Sequence, residues 1–265
     1  MSPVRIISTL QRASGKNMMV RKAGQMATAG IRKRTQTIRS GPAKGLKINV
    51  AGSRLGYILG TTEGETQEVM QEALAAGDVF YDLGANIGFL SLVAAALVGS
   101  DGAVYSFEPL PANVAILRAN AKRNSLDQIE VIEMAISDKP GGATLAIGRS
   151  DQDGKLEKNV VRAGKSSISV AVTTIDDYVE AGARPPTLIK IDVEGVELAA
   201  LRGMSNTLRQ YHPRLICELH DHAPSIDGHP VAVELRRQGY SIRWLESEIS
   251  GTTGFWACHV VAAID

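Results

Sequence analysis

The sequence predicts an α/β fold in which helices pack against a parallel sheet. Two observations carry this reading. From Asp78 onward, short apolar strands alternate with helices of about 10–15 residues, the pattern of βαβ units. A glycine-bearing turn at residues 82–88 joins the first of these strands to its helix. The chain has 265 residues, 44% hydrophobic and 22% charged, so it can bury a large core in one or two domains. That composition excludes wholesale disorder, a collagen-like repeat and a disulfide-stapled miniprotein. The longest apolar run, residues 92–98, is about one third of a membrane span, so no transmembrane helix is expected.

The elements follow in order. The segment up to about Ala43 is basic, weakly periodic and free of aromatic residues, and its glycines weaken any long helix. Residues 78–84 (DVFYDLG) form a short apolar strand, and 87–98 an apolar helix. Residues 103–109 (AVYSFEP) are a second strand, followed by a helix over 111–124 with Pro111 near its start. A third strand covers 129–137. Residues 141–174 break the rhythm: rich in Gly, Ser and β-branched residues, they read as strands or loops inserted at the sheet's rim. A short helix begins at Asp176. A fourth strand over 187–195 (TLIKIDVEG) leads into a helix over 196–211, and a fifth strand covers 214–220 (RLICELH). A helix near 229–238 and two strands, 240–245 and 254–263, complete the body.

The net charge of +1 is unevenly spread. Residues 1–62 hold 12 basic residues and no acidic one; from Glu63 onward 17 basic residues face 28 acidic ones, a net of −11. A basic arm on an acidic body suggests a polyanionic partner for the arm. No apolar run of about 7–15 residues follows its charges, which argues against a secretory signal. Its Arg-rich, acid-free composition also fits an organellar transit peptide. The expected location is cytoplasmic, peripheral to a membrane where the arm meets an anionic surface. Cys217 and Cys258 lie in apolar strand-like runs and read as buried, reduced thiols, with no sign of an oxidising compartment.

The turn Asp82-Leu-Gly84-Ala85-Asn86-Ile-Gly88 lies where α/β folds bind nucleotide-like ligands, at the carboxyl end of a strand. Gly84 allows a tight turn, Asn86 tolerates an unusual φ, and Gly88 lets the helix start close against the sheet. A dinucleotide fingerprint needs G-x-G-x-x-G, but Asn86 and Phe89 occupy its second and third glycine positions. Asp82 would repel a pyrophosphate and suits a positive ligand, such as the sulfonium and α-amino groups of S-adenosylmethionine. Glu108 ends the second strand, where a carboxylate can accept hydrogen bonds from both ribose hydroxyls.

With these residues the sequence resembles the FkbM family of S-adenosylmethionine-dependent methyltransferases. The matching stretches are DLGANIGFLSLVAA (82–95), VYSFEPLPANVAILRANAKRN (104–124), AISD (135–138), LIKIDVEGVELAALRGM (188–204) and RLICELH (214–220). The resemblance covers about residues 44–222 and, more loosely, the rest of the body; the arm, residues 1–43, is not part of it. It implies a class I methyltransferase domain over 44–265: a Rossmann-like, seven-stranded, mostly parallel sheet with helices on both faces, an antiparallel strand at one end, and the insert 141–174. It implies O-methylation of a hydroxyl on a sugar, glycolipid or other natural product. Carried over by motif, Asp82, Gly84, Ala85, Asn86, Gly88, Glu108 and Pro109 would bind the cofactor. Ala135 and Ile136 would border the adenine, and Asp192 would stand beside the cofactor.

An aliphatic hydroxyl is a poor nucleophile until its proton is removed, so a general base or a metal is expected. Alternate side chains share a strand face, which puts Lys190, Asp192 and Glu194 together, and Glu218, His220 and His222 together on the neighbouring strand. His220 is the first choice for base, because its ordinary pKa lies near neutrality, and Asp192 is the second. A divalent cation held by Asp192, Glu218 and His220 is an alternative. In the plainer reading, Lys190, Glu194 and Glu218 form a buried ion network that orders the rim. His222 and His229 read as solvated loop residues. Glu63 and Glu65 are cofactor contacts or surface residues.

Other functions stay open at this level. The basic arm raises an RNA methyltransferase, although it offers phosphate contacts without an aromatic stacking platform before Tyr57. A non-catalytic cofactor-binding protein is the reading outside enzymes. The arm could meet an anionic membrane surface or the acidic body of a second subunit in a homo-oligomer. The insert 141–174 and the segment 221–256 are expected to form the acceptor pocket.

Overall fold

The computed structural model describes residues 35–51, 55–147, 154–156, 167–219, 228–245 and 258–264. Two compact units divide the chain, Met1–Thr62 and Glu63–Asp265. In the first, β1 (Gln36–Thr37) pairs antiparallel with β2 (Lys47–Ile48), and a single helical turn, α1 (Gly56–Leu59), follows. Ile38, Ile48, Val50 and Ile58 are buried there.

The second unit begins with α2 (Gly64–Ala73) and β3 (Val79–Leu83). Then come α3 (Phe89–Val98), β4 (Ala103–Phe107), α4 (Pro111–Arg123) and β5 (Ile129–Ile132). β6 (Ala135–Ile136), β7 (Gly141–Ile147), β8 (Gly154–Leu156) and β9 (Ser167–Thr173) precede α5 (Ile175–Glu180) and β10 (Leu188–Ile191). The rest is α6 (Glu197–Arg202), α7 (Ser205–Tyr211), β11 (Arg214–Leu219), α8 (Pro230–Arg237), β12 (Ser241–Trp244) and β13 (Cys258–Ala263).

The main sheet has seven strands in the order β12-β13-β11-β10-β3-β4-β5. The five strands from β11 to β5 are mutually parallel, and β13 runs antiparallel between β11 and β12. This is the mostly parallel seven-stranded arrangement the sequence implies. β3 is buried at all five positions, as expected of a strand covered on both faces. On one face Tyr81 and Leu83 join a core with Leu201, Leu208 and Leu235 from α6, α7 and α8. On the other, Asp82 meets Ser91 of α3. α3 is apolar nearly all round and almost wholly buried, which is why it forms a helix without salt-bridged faces. α4 starts with Pro111 in its first turn and ends on Lys122 and Arg123, whose charges suit the carbonyl end.

The structure corrects three boundaries and one burial. The third strand stops at Ile132; Ala135–Ile136 leaves the main sheet and pairs with β9 in a second, four-stranded sheet, β6-β9-β7-β8. The insert is thus a strand hairpin system anchored on a piece of the third strand. The fourth strand stops at Ile191, since Glu194 (φ 54°) and Gly195 (φ 98°) turn the chain through the left-handed region. The helix expected over 196–211 is two helices. Gly203 sits between them, and a side chain there would collide with the Ser137 carbonyl. His229 is no solvated loop residue: it is buried, and its Nδ1 accepts from Val231 N (3.2 Å) to cap α8. The expected strand over 254–263 is described from Cys258 onward, and most of the segment 221–256 lies outside the described residues. Among the described residues no helix is long and apolar enough to cross a membrane.

Candidate active site

The site is built where β3 ends. Gly84 N and Ala85 N both donate to the Phe107 carbonyl at 2.9 Å, which folds the turn back against the end of β4. Gly84 (φ 81°), Asn86 (φ 51°) and Gly88 (φ 85°) all occupy left-handed conformations. A side chain at Gly84 would collide with the Asp192 carbonyl, so only glycine lets this turn lie against the end of β10. Gly88 is needed for a different reason than expected. A Cβ there would come within 2.6 Å of Leu117, a residue of α4, so the close approach is helix to helix.

Glu108 is 5% exposed, and its carboxylate is held on three sides. Oε2 accepts from Asn86 N (2.8 Å), while Oε1 accepts from Leu110 N (2.9 Å) and Asn113 Nδ2 (3.3 Å). Burial nevertheless pushes its pKa up to about 7, against the pull of those donors. Asn120 Nδ2 donates to the Ile87 carbonyl (3.0 Å) and pins the far side of the turn.

A cleft opens across the carboxyl ends of four adjacent strands. At the β5 end it is bordered by Met134, Ala135 and Ile136, with Leu145 reaching in from the insert. Phe107, Glu108, Pro109 and Leu110 border it beyond β4, and Gly84 and Asn86 beyond β3. Beyond β10 the walls are Asp192, Val193 and Glu194. The cleft is therefore apolar at one end, carries a buried carboxylate in the middle and is acidic at the other end.

Behind the acidic end lies a buried polar series. Ser106 Oγ donates to Ser91 Oγ (2.9 Å), and Ser91 Oγ donates to Asp82 Oδ2 (2.6 Å). Register sets Lys190 beside Asp82 on the neighbouring strand. Its Nζ lies 3.9 Å from Asp82 Oδ1 and 3.0 Å from Asp192 Oδ2, and donates to the Gly84 carbonyl at 3.4 Å. Asp82 Oδ1 accepts no hydrogen bond among the described residues. Burial opposes the charge of Lys190, but Asp192, Asp82 and Glu63 more than offset it and hold the ammonium above its ordinary range. Burial lifts the Asp82 carboxyl, against Lys190 and the Ser91 bond.

The family model for the "Methyltransferase FkbM domain" matches residues 82–242. The chain belongs to the FkbM methyltransferase family. An FkbM relative, a 31-O-demethyl-FK506 methyltransferase of Streptomyces tacrolimicus, is 30% identical over 201 residues, 64% of this chain and 75% of that protein. A hexuronic acid methyltransferase of Haloferax volcanii is 28% identical over 161 residues, 60% of this chain. The alignment spans 62% of that protein, less than two thirds of its length. Among solved structures, a protein described as a putative rRNA methylase of Clostridium thermocellum superposes with a TM-score of 0.50 at 13% identity. It covers 76% of this chain and 95% of its own and shows the shared class I fold alone.

Within this FkbM-family site the residues expected from sequence separate into three groups. Gly84, Asn86, Glu108, Pro109, Ala135, Ile136 and Asp192 come together around the cleft. Asp82, Ala85, Gly88 and Lys190 are not among its walls. Asp82, expected to face a positive ligand, is 1% exposed, accepts from Ser91 Oγ and lies 3.9 Å from Lys190 Nζ. Glu218 lies on β11, half-buried and paired in register with His259. His220 and His222 lie outside the described residues. So does one member of the candidate metal set; among the described residues no group of three or more His, Cys, Asp or Glu is placed to hold a metal ion. The alternation placing Glu194 beside Lys190 and Asp192 fails because the strand has ended; Glu194 reaches the cleft through its left-handed turn. Glu63, with φ 53° at the start of α2, acts on Lys190, while Glu65 is exposed.

Sequence reasoning missed Leu110, Leu145, Asn113 and the Ser91–Ser106 pair. The serines left a signal. Each is a lone polar residue inside an apolar run, and such a residue, once buried, needs a partner.

Proposed function

We propose that this chain binds S-adenosylmethionine in the cleft and transfers its methyl group to a hydroxyl of a sugar, glycolipid or other small natural-product acceptor. The observation that carries the reading is Glu108: a buried carboxylate at the end of β4, held by the glycine turn and bordering the cleft at the carboxyl ends of the strands. The walls suit the cofactor along its length. Met134, Ala135, Ile136, Leu110 and Leu145 give adenine an apolar bed. Glu108 can accept from ribose hydroxyls, with lone pairs left beyond its three present donors. Gly84, Ala85, Asn86 and Gly88 shape the turn, and Asp192 and Glu194 meet the positive end. The names of the two relatives, one acting on a hexuronic acid and one on an oxygen of an FK506 derivative, support an oxygen acceptor.

The bound cofactor supplies a methyl group already activated by its sulfonium. The protein must hold the acceptor oxygen in line with that carbon and take up the hydroxyl proton. The oxygen lone pair forms the new C–O bond, and the electron pair of the broken C–S bond stays on sulfur. His220, the residue after β11, is the proposed base, on its sequence position next to a strand that adjoins β10. Asp192 is less suited to that role, because the Lys190 ammonium already engages its carboxylate.

The test is transfer of label from tritiated cofactor to the lipid, glycan, small-molecule and RNA fractions of a lysate. Label in a glycan, lipid or small-molecule fraction is expected. Label in RNA overturns the acceptor class, and none anywhere with S-adenosylhomocysteine still bound favours a cofactor-binding protein. His220→Ala should lower labelling roughly 100-fold or more with S-adenosylhomocysteine affinity retained.

A further inference from the structure

The cleft is electrically uneven along the sheet, and the unevenness is built from an ion pair rather than from a lone carboxylate. We infer that the Lys190–Asp192 pair senses the charge on the cofactor's sulfur and so separates the sulfonium substrate from its neutral thioether product. The inference rests on the cofactor reading above and deepens it.

Three features of the fold support it. First, the order β5-β4-β3-β10 sets the ends of the cleft: the apolar bed lies beyond β5, Glu108 beyond β4 and Asp192 beyond β10. A ligand with adenine on the apolar bed and ribose on Glu108 carries its sulfur end toward β3 and β10. Second, the pair is oriented. The Asp192 side chain is 25% exposed and forms a cleft wall, whereas the Lys190 side chain is 5% exposed and stands behind it. The cleft therefore meets the negative end of the pair, with Glu194 adding to the same sign. Third, the pair cannot easily swing away. Lys190 is fixed from behind by Asp82, itself held by Ser91 and Ser106, and it also donates to the Gly84 carbonyl. A held dipole of this sense favours a positive sulfur over a neutral one of nearly the same shape, because no reorganisation is needed when the charge arrives. The same contrast weakens the grip on the product once the methyl group has gone.

The measurement is the affinity of the full chain for S-adenosylmethionine and S-adenosylhomocysteine by calorimetry, in the parent, Asp192→Asn and Lys190→Met/Asp192→Asn. In Asp192→Asn the cleft wall loses its negative charge, while the Lys190 ammonium behind it is left with Asp82 and Glu63 to offset its own. The preference for the sulfonium over the thioether should then fall by roughly tenfold or more, about 1.4 kcal/mol. The double variant removes that ammonium and should recover part of the preference. A purely structural role moves both affinities together, so an unchanged ratio in the two variants overturns the inference. If the single variant does not fold, the double variant decides alone: a ratio below the parent's supports the inference, and the parent's ratio sinks it. Failure of the parent chain to bind either ligand overturns the cofactor reading itself.

Discussion

At the scale of single residues, Glu108 has the property that solution work can reach first. Its carboxyl is nearly buried, and desolvation pushes its pKa to about 7 despite three donors. The sign of the consequence follows from linkage. The folded protein holds this proton in a range where the unfolded chain, with an ordinary glutamate, has lost it. This group therefore makes the unliganded fold less stable as pH rises from the ordinary glutamate range to about 7. Ligand binding runs the other way, because ribose hydroxyls donate to the ionised form. Adenosine is the suitable probe, since it carries the ribose and no amine that titrates near neutrality. Its affinity should weaken by up to about tenfold as pH falls from about 8 to 6, and Glu108→Gln should abolish that dependence. A flat profile in the parent chain removes Glu108 from ribose binding. Ser91 and Ser106 show a different residue-scale lesson. A lone serine in an apolar run signals the need for a partner but does not name it; the packing of α3 on β3 assigns Ser91 to an acid 9 residues away.

At the scale of elements, the sequence carried the βαβ rhythm, the glycine turn and the carboxyl-end acids, because each follows from local periodicity or a local conformational need. It misplaced the ends of elements wherever a distant backbone intervenes. The strand at 187–195 reads as continuous because its residues alternate, yet the chain turns at Glu194 and Gly195. The helix at 196–211 reads as one because its apolar spacing is unbroken, yet Gly203 is pressed against the Ser137 carbonyl and the helix restarts. That restart depends on a cap supplied from elsewhere. Met204 gives α7 no side-chain cap. Instead Asp176 of α5 accepts from Asn206 N (3.0 Å), Thr207 N (2.7 Å) and the Thr207 hydroxyl (2.7 Å). A carboxylate there satisfies open amide groups and suits the positive end of the helix. Asp176→Ala should cost about 0.5–2 kcal/mol, the range for losing a cap. That is a fall in melting temperature of roughly 1–8 °C by calorimetry for a unit of this size. Asp176→Asn should recover part of it, and an unchanged melting temperature in the alanine variant would show that α7 needs no such cap. The insert belongs to this scale too. Its composition marked it as rim structure, but the position of Leu145 in the cleft wall follows from the pairing of β7 with β9 and of β9 with β6.

At the scale of the whole chain, charge remains the least absorbed feature. The FkbM match covers residues 82–242 and does not reach the basic segment. From Glu63 onward the chain is net −11, so the positive charge of residues 1–62 has no counterpart there in sign. An anionic membrane surface would attract such a segment by about 1 kcal/mol for each basic residue near it, falling off within a Debye length. That attraction would bring a glycolipid acceptor within reach of the site, which links the arm to the proposed chemistry. The full chain should therefore co-sediment with vesicles containing phosphatidylserine, and less so as salt rises from about 0.05 to 0.5 M. Removing residues 1–34, which stop short of β1, takes away eight of the 12 basic residues that precede Glu63 and should release the protein from those vesicles. The shortened chain should keep its affinity for S-adenosylhomocysteine, because every wall of the cleft lies at Gly84 or beyond. Equal pelleting with and without the arm would assign its charge to another polyanion, and loss of cofactor binding on its removal would assign it to the fold.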